Sequence, residues 1–416
     1  MTVRSAAIVG RGVLLGGVAL LSVSCRPQPT PEPEPGGAEP DVRIGLHVDV
    51  TDVHITGDGS IAGSEREHVV IRVGGGEPLT VRQDGYGIVV SGGSASGRYE
   101  RLTFVSLDPG RHVRVEGRPY RGIVEVFSSG SGLVVVNVLP LEAYLGGVVN
   151  AEMGRRAPDE EAALEAQAIV SRTYALRNLG KFASRGFDLR ASVADQAYLG
   201  VESETEPGLV AVRTTGGRVL TYGGELIAPF YHSTCGGWTA APEEAFRTVR
   251  SRSYLRPVSD RHGDGWYCDR SPRFGWTVEW DGPALLRILR NTVPASLGID
   301  PAMVDAVRDV RVRRRGPSKR VAELRVTVGA GDIPVSGPDV RHVLQTPEGR
   351  VLGSTAVELE VARRDGVVAA LVARGHGWGH GVGMCQWGAV GRARAGQDAR
   401  KILETYFPGA RVARWY

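Results

Sequence analysis

Aromatic residues are scarce in this sequence, and so is an excess of charge of either sign. Phe, Trp and Tyr make up 6% of the 416 residues, without the interleaving with basic residues that is typical of single-strand nucleic-acid binders. The formal net charge of +4 is too small to indicate a nucleic-acid partner. A hydrophobic content of 42% is typical of globular proteins, and the length allows two or more domains.

The apolar run near the N-terminus, Gly12 to Val23, is too short to span a bilayer as a permanent helix. It leads into Ser22-Val23-Ser24-Cys25, which predicts a signal peptide over residues 1–25 that ends in a bacterial lipoprotein box. Ser22 departs from such boxes, which usually carry Leu. We therefore predict export with a lipid anchor on Cys25 in the cell envelope, and a periplasmic or secreted protein if this departure prevents lipidation.

The rest of the chain divides by its pattern of residues. A Pro-rich tether over residues 26–41 cannot bury a core. Short Val- and Ile-rich runs predict a β-rich N-terminal part over 42–137. A mixed α/β core follows over 138–280, interrupted by an α/β module over 281–362. The chain then returns to the core over 363–416, with a Gly-rich loop and a final helix from Ala393 to Tyr406. The predicted fold class is α+β.

The stretch from Val138 to Phe182 is the centre of this organisation. Its apolar run ends at Val149 and predicts a turn that carries Glu152, before a helix that begins near Asp159. Glu152 stands between two apolar residues, and burial would disfavour its charged form, raise its pKa and suit it to act as a general acid. The alternative is a surface glutamate at the end of an element.

Four blocks of this sequence resemble the stage II sporulation protein D family, which includes the amidase-enhancer proteins. They span about Val138 to Phe407 in the family's order and read VLPLEAYLGGVVNAEM with EAQAIVSRTYAL, then DQAYLG, FYHSTCGG and GHGVGMCQWGA. The resemblance implies a lytic transglycosylase that cuts peptidoglycan glycan strands. It places the catalytic glutamate at Glu152.

The same resemblance implies a set of substrate-binding residues within the matching blocks. Arg172 corresponds to an arginine that lines the substrate groove in the family. The complete set is Arg172, Gln167, Asp195, Tyr198, His232, Ser233, His380 and Gln386.

The implied reaction needs one well-placed acid, whereas ordinary glycosidases use two carboxylates. Glu152 is the one strong candidate, and it would cleave MurNAc–GlcNAc links of peptide-stripped strands to leave 1,6-anhydroMurNAc ends. The alternative function is a non-catalytic, glycan-binding activator of a cell-wall amidase. Neither function predicts a nucleic-acid partner.

Three cysteines remain if Cys25 carries lipid: Cys235, Cys268 and Cys385. A Cys235–Cys268 disulfide would close a loop of about 33 residues and stabilise the fold by roughly 3–4 kcal/mol. A zinc site would instead use His232 with all three cysteines. The exported location favours the disulfide and the odd number of cysteines favours the metal. We predict the disulfide, with Cys385 as a buried thiol and no cofactor.

Overall fold

The computed structural model describes residues 36–85, 87–92 and 95–416. The predicted signal peptide, its Cys25 and most of the tether lie outside this range. Within it, no helix is both long enough and apolar enough to cross a membrane.

The N-terminal part is built from twelve strands in two antiparallel sheets. Their bounds are β1 (Asp41–Val50), β2 (Asp52–Gly57), β3 (Ile61–Glu65), β4 (His68–Val73), β5 (Leu79–Asp84), β6 (Gly87–Gly92), β7 (Ala95–Tyr99), β8 (Arg101–Ser106), β9 (Val113–Val115), β10 (Arg118–Tyr120), β11 (Ile123–Ser128) and β12 (Leu133–Pro140). One sheet contains β1, β12, β11, β8, β3 and β4 in that order, and the other contains β10, β9, β2, β5, β6 and β7.

Strand β12 shows why this part of the sequence forms sheets. Successive side chains of a strand point to opposite faces, so a strand that is buried on both faces reads as an unbroken apolar run. Val135 belongs to the main hydrophobic core, whereas Val134 and Val136 pack with Phe127 and Phe187 on the other face. Strand β12 ends at Pro140, and the helical region begins directly after it.

Three helices follow, together with a short strand that joins the edge of the first sheet. Their bounds are α1 (Leu141–Met153), α2 (Glu161–Arg177), β13 (Leu189–Arg190) and α3 (Glu206–Thr214). Three short 3-10 helices lie between them at Pro158–Glu160, Ala183–Arg185 and Gly200–Ser203.

The predicted turn at Glu152 is wrong, because the whole segment from Leu141 to Met153 is helical. The Gly146–Gly147 pair lowers helix propensity, but a Cβ at Gly147 would lie 2.5 Å from the Tyr198 ring. Tertiary packing therefore both requires the glycine and overrides its propensity.

The segment between the helices and the inserted module contains only short elements. They are β14 (Arg218–Tyr222), β15 (Glu225–Leu226), β16 (Tyr231–His232), α4 (Pro242–Ala245), β17 (Arg261–His262) and β18 (Gly265–Trp266).

The inserted module contains two three-stranded sheets and two helices. Its elements are β19 (Gly275–Asp281), α5 (Gly282–Leu297), a 3-10 helix at Pro301–Met303, β20 (Val307–Arg315), β21 (Val321–Val328), β22 (Gly331–Ser336), α6 (Gly337–Val343), β23 (Val357–Arg364) and β24 (Val367–His376). A second hydrophobic core runs from Trp280 to Ala373. The module therefore extends beyond the predicted 281–362, because β19 and β24 pair with each other at its base.

The chain then returns to the core through β25 (Met384–Cys385), α7 (Gln386–Arg394), α8 (Ala399–Tyr406) and β26 (Arg411–Arg414). The single helix predicted from Ala393 to Tyr406 is wrong. Gly396 has a φ of +79° and follows the end of α7, and the Asp398 carboxylate accepts from Lys401 N (2.7 Å) to start α8. The predicted α+β class is confirmed.

Candidate active site

Glu152 lies in the last turn of α1, half-buried at the floor of a cleft. Its Oε1 accepts hydrogen bonds from Ala197 N (2.7 Å) and from the Tyr231 hydroxyl (2.9 Å). Gln386 Nε2 donates to Oε2 over 3.5 Å. Burial raises the pKa of the Glu152 carboxyl above its ordinary value, although these three donors pull it down. The residue therefore holds a proton more readily than an exposed glutamate does.

The donors to Glu152 are themselves held by buried polar side chains. Gln196 Nε2 donates to the Tyr231 hydroxyl over 3.3 Å, and the Tyr144 hydroxyl donates to Gln196 Oε1 over 3.3 Å. On the other side, Gln386 Nε2 lies 3.4 Å from Gln167 Oε1. Burial raises the pKa of Tyr231 well above its ordinary value, so its hydroxyl keeps its proton and remains a donor.

A cleft of about 500 Å³ opens beside Glu152. The segment after β15, the loop before Gln196 and the Gly-rich block form its walls. Among the lining residues are Glu152, Tyr174, Val193, Asp195, Phe230, Tyr231, His232, Ser233, Phe246, Arg273, Trp378, His380 and Gln386. Two parallel strands join the walls, because β16 and β25 pair Tyr231 with Met384 and His232 with Cys385.

Six of the predicted site residues line this cleft: Glu152, Asp195, His232, Ser233, His380 and Gln386. Asp195 is the second carboxylate among the described lining residues, but its oxygens are engaged. They accept from the Tyr174 hydroxyl (2.9 Å), from Arg190 N (3.0 Å) and from the Lys181 ammonium group. Glu152 is therefore the carboxylate better placed for proton transfer.

Two histidines contribute neutral imidazoles to the wall. His232 Nδ1 lies 3.1 Å from the carbonyl oxygen of Val382, so Nδ1 carries the proton and donates it. Burial lowers the pKa of His232 well below its ordinary value and lowers that of His380 to about 4. Neither ring adds positive charge to the cleft at neutral pH.

Three predicted substrate-binding residues lie outside the cleft. Arg172 has 0% exposure and binds the Glu142 carboxylate with two hydrogen bonds, so it is a core residue. Tyr198 is also buried, and its hydroxyl donates to Asn137 Oδ1 over 2.7 Å. Gln167 reaches the site only through Gln386. All three side chains are buried, and none of them lines the cleft, so this structure does not support the predicted substrate contacts.

Sequence reasoning missed Tyr231, Arg273 and Trp378. Tyr231 lies in one matching block and Trp378 directly precedes another, but the predicted substrate-binding residues there were the neighbouring histidines. No sequence signal marks Arg273, which is exposed on the rim with its guanidinium 4.8 Å from the centre of the Trp378 ring. It forms no ion pair with any other residue in the described ranges, and it therefore offers a free positive charge to the cleft.

The three cysteines lie together behind the cleft as buried free thiols. The predicted disulfide is absent, because the sulfur atoms of Cys235 and Cys268 are 3.5 Å apart and a bond needs about 2.05 Å. The alternative zinc ligand set of His232 with the three cysteines is not brought together in this structure. Asp260, not His232, shares the space with the cysteines, and the four ligand atoms lie within 4.8 Å of one another.

Residues 129–222 match the family model described as stage II sporulation protein, a range that contains α1, α2 and Glu152. Residues 243–383 match a second model, described as a domain of unknown function (DUF8618). This second match covers the inserted module and its flanks.

Individual relatives match most of the chain. An uncharacterized protein of Brachyspira hyodysenteriae is 28% identical over 306 residues, which cover 72% of this chain and 73% of that protein. Stage II sporulation protein D of Bacillus subtilis is 25% identical over 293 residues, covering 67% of this chain and 76% of that protein. The Bacillus subtilis amidase enhancer is 26% identical over 285 residues, covering 61% of this chain and 38% of that protein.

Proposed function

Since this chain belongs to the family of stage II sporulation protein D and the amidase enhancer, we propose that it is a peptidoglycan lytic transglycosylase with Glu152 as its acid and base. The observation that carries the proposal is the environment of Glu152. Its proton is favoured by burial, and the cleft beside it contains no second carboxylate that is free of partners among the described residues. This arrangement suits a reaction in which one carboxyl group acts twice.

In the proposed reaction, protonated Glu152 gives its proton to the glycosidic oxygen between MurNAc and GlcNAc. The C1–O bond breaks, and the C6 hydroxyl of the same MurNAc attacks C1. The Glu152 carboxylate accepts the proton of that hydroxyl, so the acid is regenerated and the product ends in 1,6-anhydroMurNAc. No water and no second carboxylate enter the balance.

The remaining residues of the cleft have binding roles in this proposal. Arg273 offers its positive charge to the lactyl carboxylate of a MurNAc residue, and the apolar faces of Phe230, Phe246 and Trp378 offer contact area for sugar rings. Because His232 and His380 are neutral, Arg273 is the cation among the described residues that line this cleft.

We also propose that the protein is exported and held in the cell envelope by a lipid on Cys25. The signal-peptide pattern and the Pro-rich tether of the sequence support this location. The substrate would then be the peptidoglycan that surrounds the membrane, and the family resemblance suggests strands already stripped of stem peptides.

The decisive experiment is product analysis after incubation with peptide-free glycan strands. The parent protein should release peptide-free glycan fragments with 1,6-anhydroMurNAc ends. Glu152→Gln should reduce this release about 10²–10⁴-fold while glycan binding persists. The control is Glu161→Gln, the same change at an exposed position of α2, which should leave the rate unchanged. Parental activity in Glu152→Gln would refute the catalytic role.

One relative favours a second function, because it is named an amidase enhancer. In this alternative the cleft binds glycan and presents it to a separate cell-wall amidase. An assay that contains this protein, a cell-wall amidase and peptidoglycan distinguishes the two functions. If the protein only activates the amidase, Glu152→Gln should stimulate it as well as the parent protein does, and neither protein should produce anhydro ends.

A further inference from the structure

Three buried cysteines and a buried aspartate converge behind the cleft, where the two wall strands end. Cys235 follows β16, Cys385 ends β25, and Asp260 and Cys268 come from the loops around β17 and β18. Each residue is at most 1% exposed. We propose that Cys235, Asp260, Cys268 and Cys385 form a structural zinc site.

The spacing of the donor atoms fits a tetrahedral ion. Sulfur ligands lie about 2.3 Å and carboxylate oxygens about 2.0 Å from zinc, which puts neighbouring ligand atoms about 3.5–3.8 Å apart. Cys235 Sγ lies 3.5 Å from Cys268 Sγ and 3.5 Å from Asp260 Oδ2. Four protein ligands would close the coordination shell, as in structural rather than catalytic zinc sites.

The hydrogen bonds around the cluster suit thiolates and a carboxylate that binds through one oxygen. Cys385 Sγ accepts from the backbone N–H of Cys235 (3.1 Å) and of Gly388 (3.2 Å). Asp260 Oδ1 accepts from the Tyr406 hydroxyl (2.6 Å) and from Arg392 (3.0 Å), which leaves Oδ2 directed at the cysteines. Outer partners of this kind hold ligands in place in metal sites.

A buried arginine supplies a second, independent observation. Arg320 is 1% exposed, and the one hydrogen bond that its side chain forms in the described structure goes from Nη2 to the carbonyl oxygen of Cys235 (2.7 Å). Its Nε and Nη1 are buried without a partner. The buried Glu244 carboxylate acts on Arg320 without a hydrogen bond to it. A buried cation with no directly bonded anion is destabilising, so its presence here needs an explanation.

Charge balance provides that explanation. Zinc with three thiolates and one carboxylate carries a net charge of about −2, and the two buried guanidinium groups of Arg320 and Arg392 cancel it. Three neutral thiols without a metal leave Arg392 paired with Asp260, and they leave Arg320 with the charge of Glu244, which forms no hydrogen bond to its guanidinium group in the described structure. The zinc-bound cluster would therefore place negative charge directly beside both guanidinium groups.

The zinc site would link β16 and β25, the two strands that position the side-chain hydrogen-bond donors to Glu152. Tyr231 lies on β16, four residues before Cys235, and Gln386 follows Cys385 directly. Both side chains donate to the Glu152 carboxylate. Zinc would thereby fix the acid's partners without contacting substrate.

Metal content and thiol titration test the proposal in the full-length chain with Cys25→Ala, so that every titrated thiol belongs to the cluster. Protein purified without added metal or chelator should contain about one zinc ion per chain, and all three thiols should react after unfolding without reductant. One reactive thiol and no zinc would overturn the site in favour of a disulfide. Three thiols with no zinc, even after incubation with zinc salts, would overturn it as well.

Variants assign the ligands. Asp260→Asn and Cys268→Ser should lose zinc, whereas Asp264→Asn, the same amide change at an exposed position four residues away, should keep it. Arg320→Met should weaken zinc binding about 10–100-fold, and Arg313→Met on the exposed face of β20 should not. Unchanged zinc affinity in folded Arg320→Met would overturn the charge-balance argument. If the ligand variants do not fold, the metal content of the parent chain still decides.

Discussion

The guanidinium group of Arg172 forms two parallel hydrogen bonds with the carboxylate of Glu142, from Nε over 2.7 Å and from Nη2 over 2.6 Å. Arg172 also donates to the carbonyl oxygen of Arg218 over 3.0 Å. The pair therefore ties α2 to the start of α1 and to β14. The arginine implied by family resemblance to bind substrate instead holds the helix that presents Glu152.

Replacing Arg172 should thus affect stability rather than chemistry. Arg172→Ala leaves the partly buried Glu142 carboxylate without its cation, which should lower the free energy of unfolding by about 2–4 kcal/mol. This value is below the full range for buried ion pairs because Glu142 is partly exposed. Urea unfolding measures the change. Arg213→Ala, which removes an exposed ion pair with Glu206, should cost less than about 1 kcal/mol. A stable Arg172→Ala with reduced glycan affinity would contradict this assignment.

The loss of stability in Arg172→Ala should depend on pH. Burial pushes the pKa of Glu142 up, but the hydrogen bonds and charge of Arg172 hold it below the ordinary value. A depressed carboxyl pKa stabilises the fold above the pKa of the unfolded chain and loses this effect as the pH falls. The gap between parent and variant should therefore be full at neutral pH and shrink in acid.

Tyr231→Phe should move the alkaline limb of the pH–rate profile to higher pH. The active form of Glu152 is protonated, so the rate falls as the pH rises through its pKa. The Tyr231 hydroxyl stabilises the carboxylate, and its removal should raise that pKa by about one unit. Tyr222→Phe, at a 41% exposed tyrosine, is the control. A limb that stays in place or moves to lower pH would argue against Glu152 as the titrating acid.

Arg273→Ala should weaken the binding of glycan strands. Loss of an exposed cation should raise KM about two- to fivefold and leave kcat nearly unchanged. The effect should vanish on strands whose lactyl carboxylates have been reduced, and in high salt. The exposed neighbour Arg270→Ala provides the comparison. Equal effects of both variants would indicate general charge attraction instead of a site.

Lipid attachment is tested by labelling. The full-length protein should incorporate a labelled fatty acid in a bacterial host, and Cys25→Ala should lose the label. A mature N-terminus other than Cys25, without label, would mean that Ser22 defeats the lipoprotein box.

Sequence patterns predict much of this fold because they report local periodicity. The unbroken Val-rich run of β12 and the helix predicted to begin near Asp159 both follow from such patterns. The helical state of Glu152 does not, because two glycines lower the helix propensity of α1, and the need for Gly147 comes from its packing against Tyr198, which is distant in the chain. A local sequence pattern carries no information about packing between segments that are distant in the chain.

The same limit applies to side-chain partners. Glu152 stands out in the sequence as a carboxyl between apolar neighbours, but the roles of Arg172 and Asp260 depend on residues far away in the chain. Asp260 meets Cys385 and Arg392 only after the module returns the chain to the core. Residue spacing indicates neither the partner of Arg172 nor the partners of Asp260. The family resemblance therefore implied a role in substrate binding for Arg172, and it did not identify Asp260.

The module leaves the core at Gly275 and re-enters it at His376, and these two residues are paired across β19 and β24. Cys235 and Cys385 are 150 residues apart in the chain, yet they meet behind the cleft. A module that folds first and closes its own base shortens the effective loop to about 50 residues, which lowers the entropic cost of closure by about 1 kcal/mol. The order of folding, module before cleft, would thus speed the assembly of the long-range contacts around Glu152.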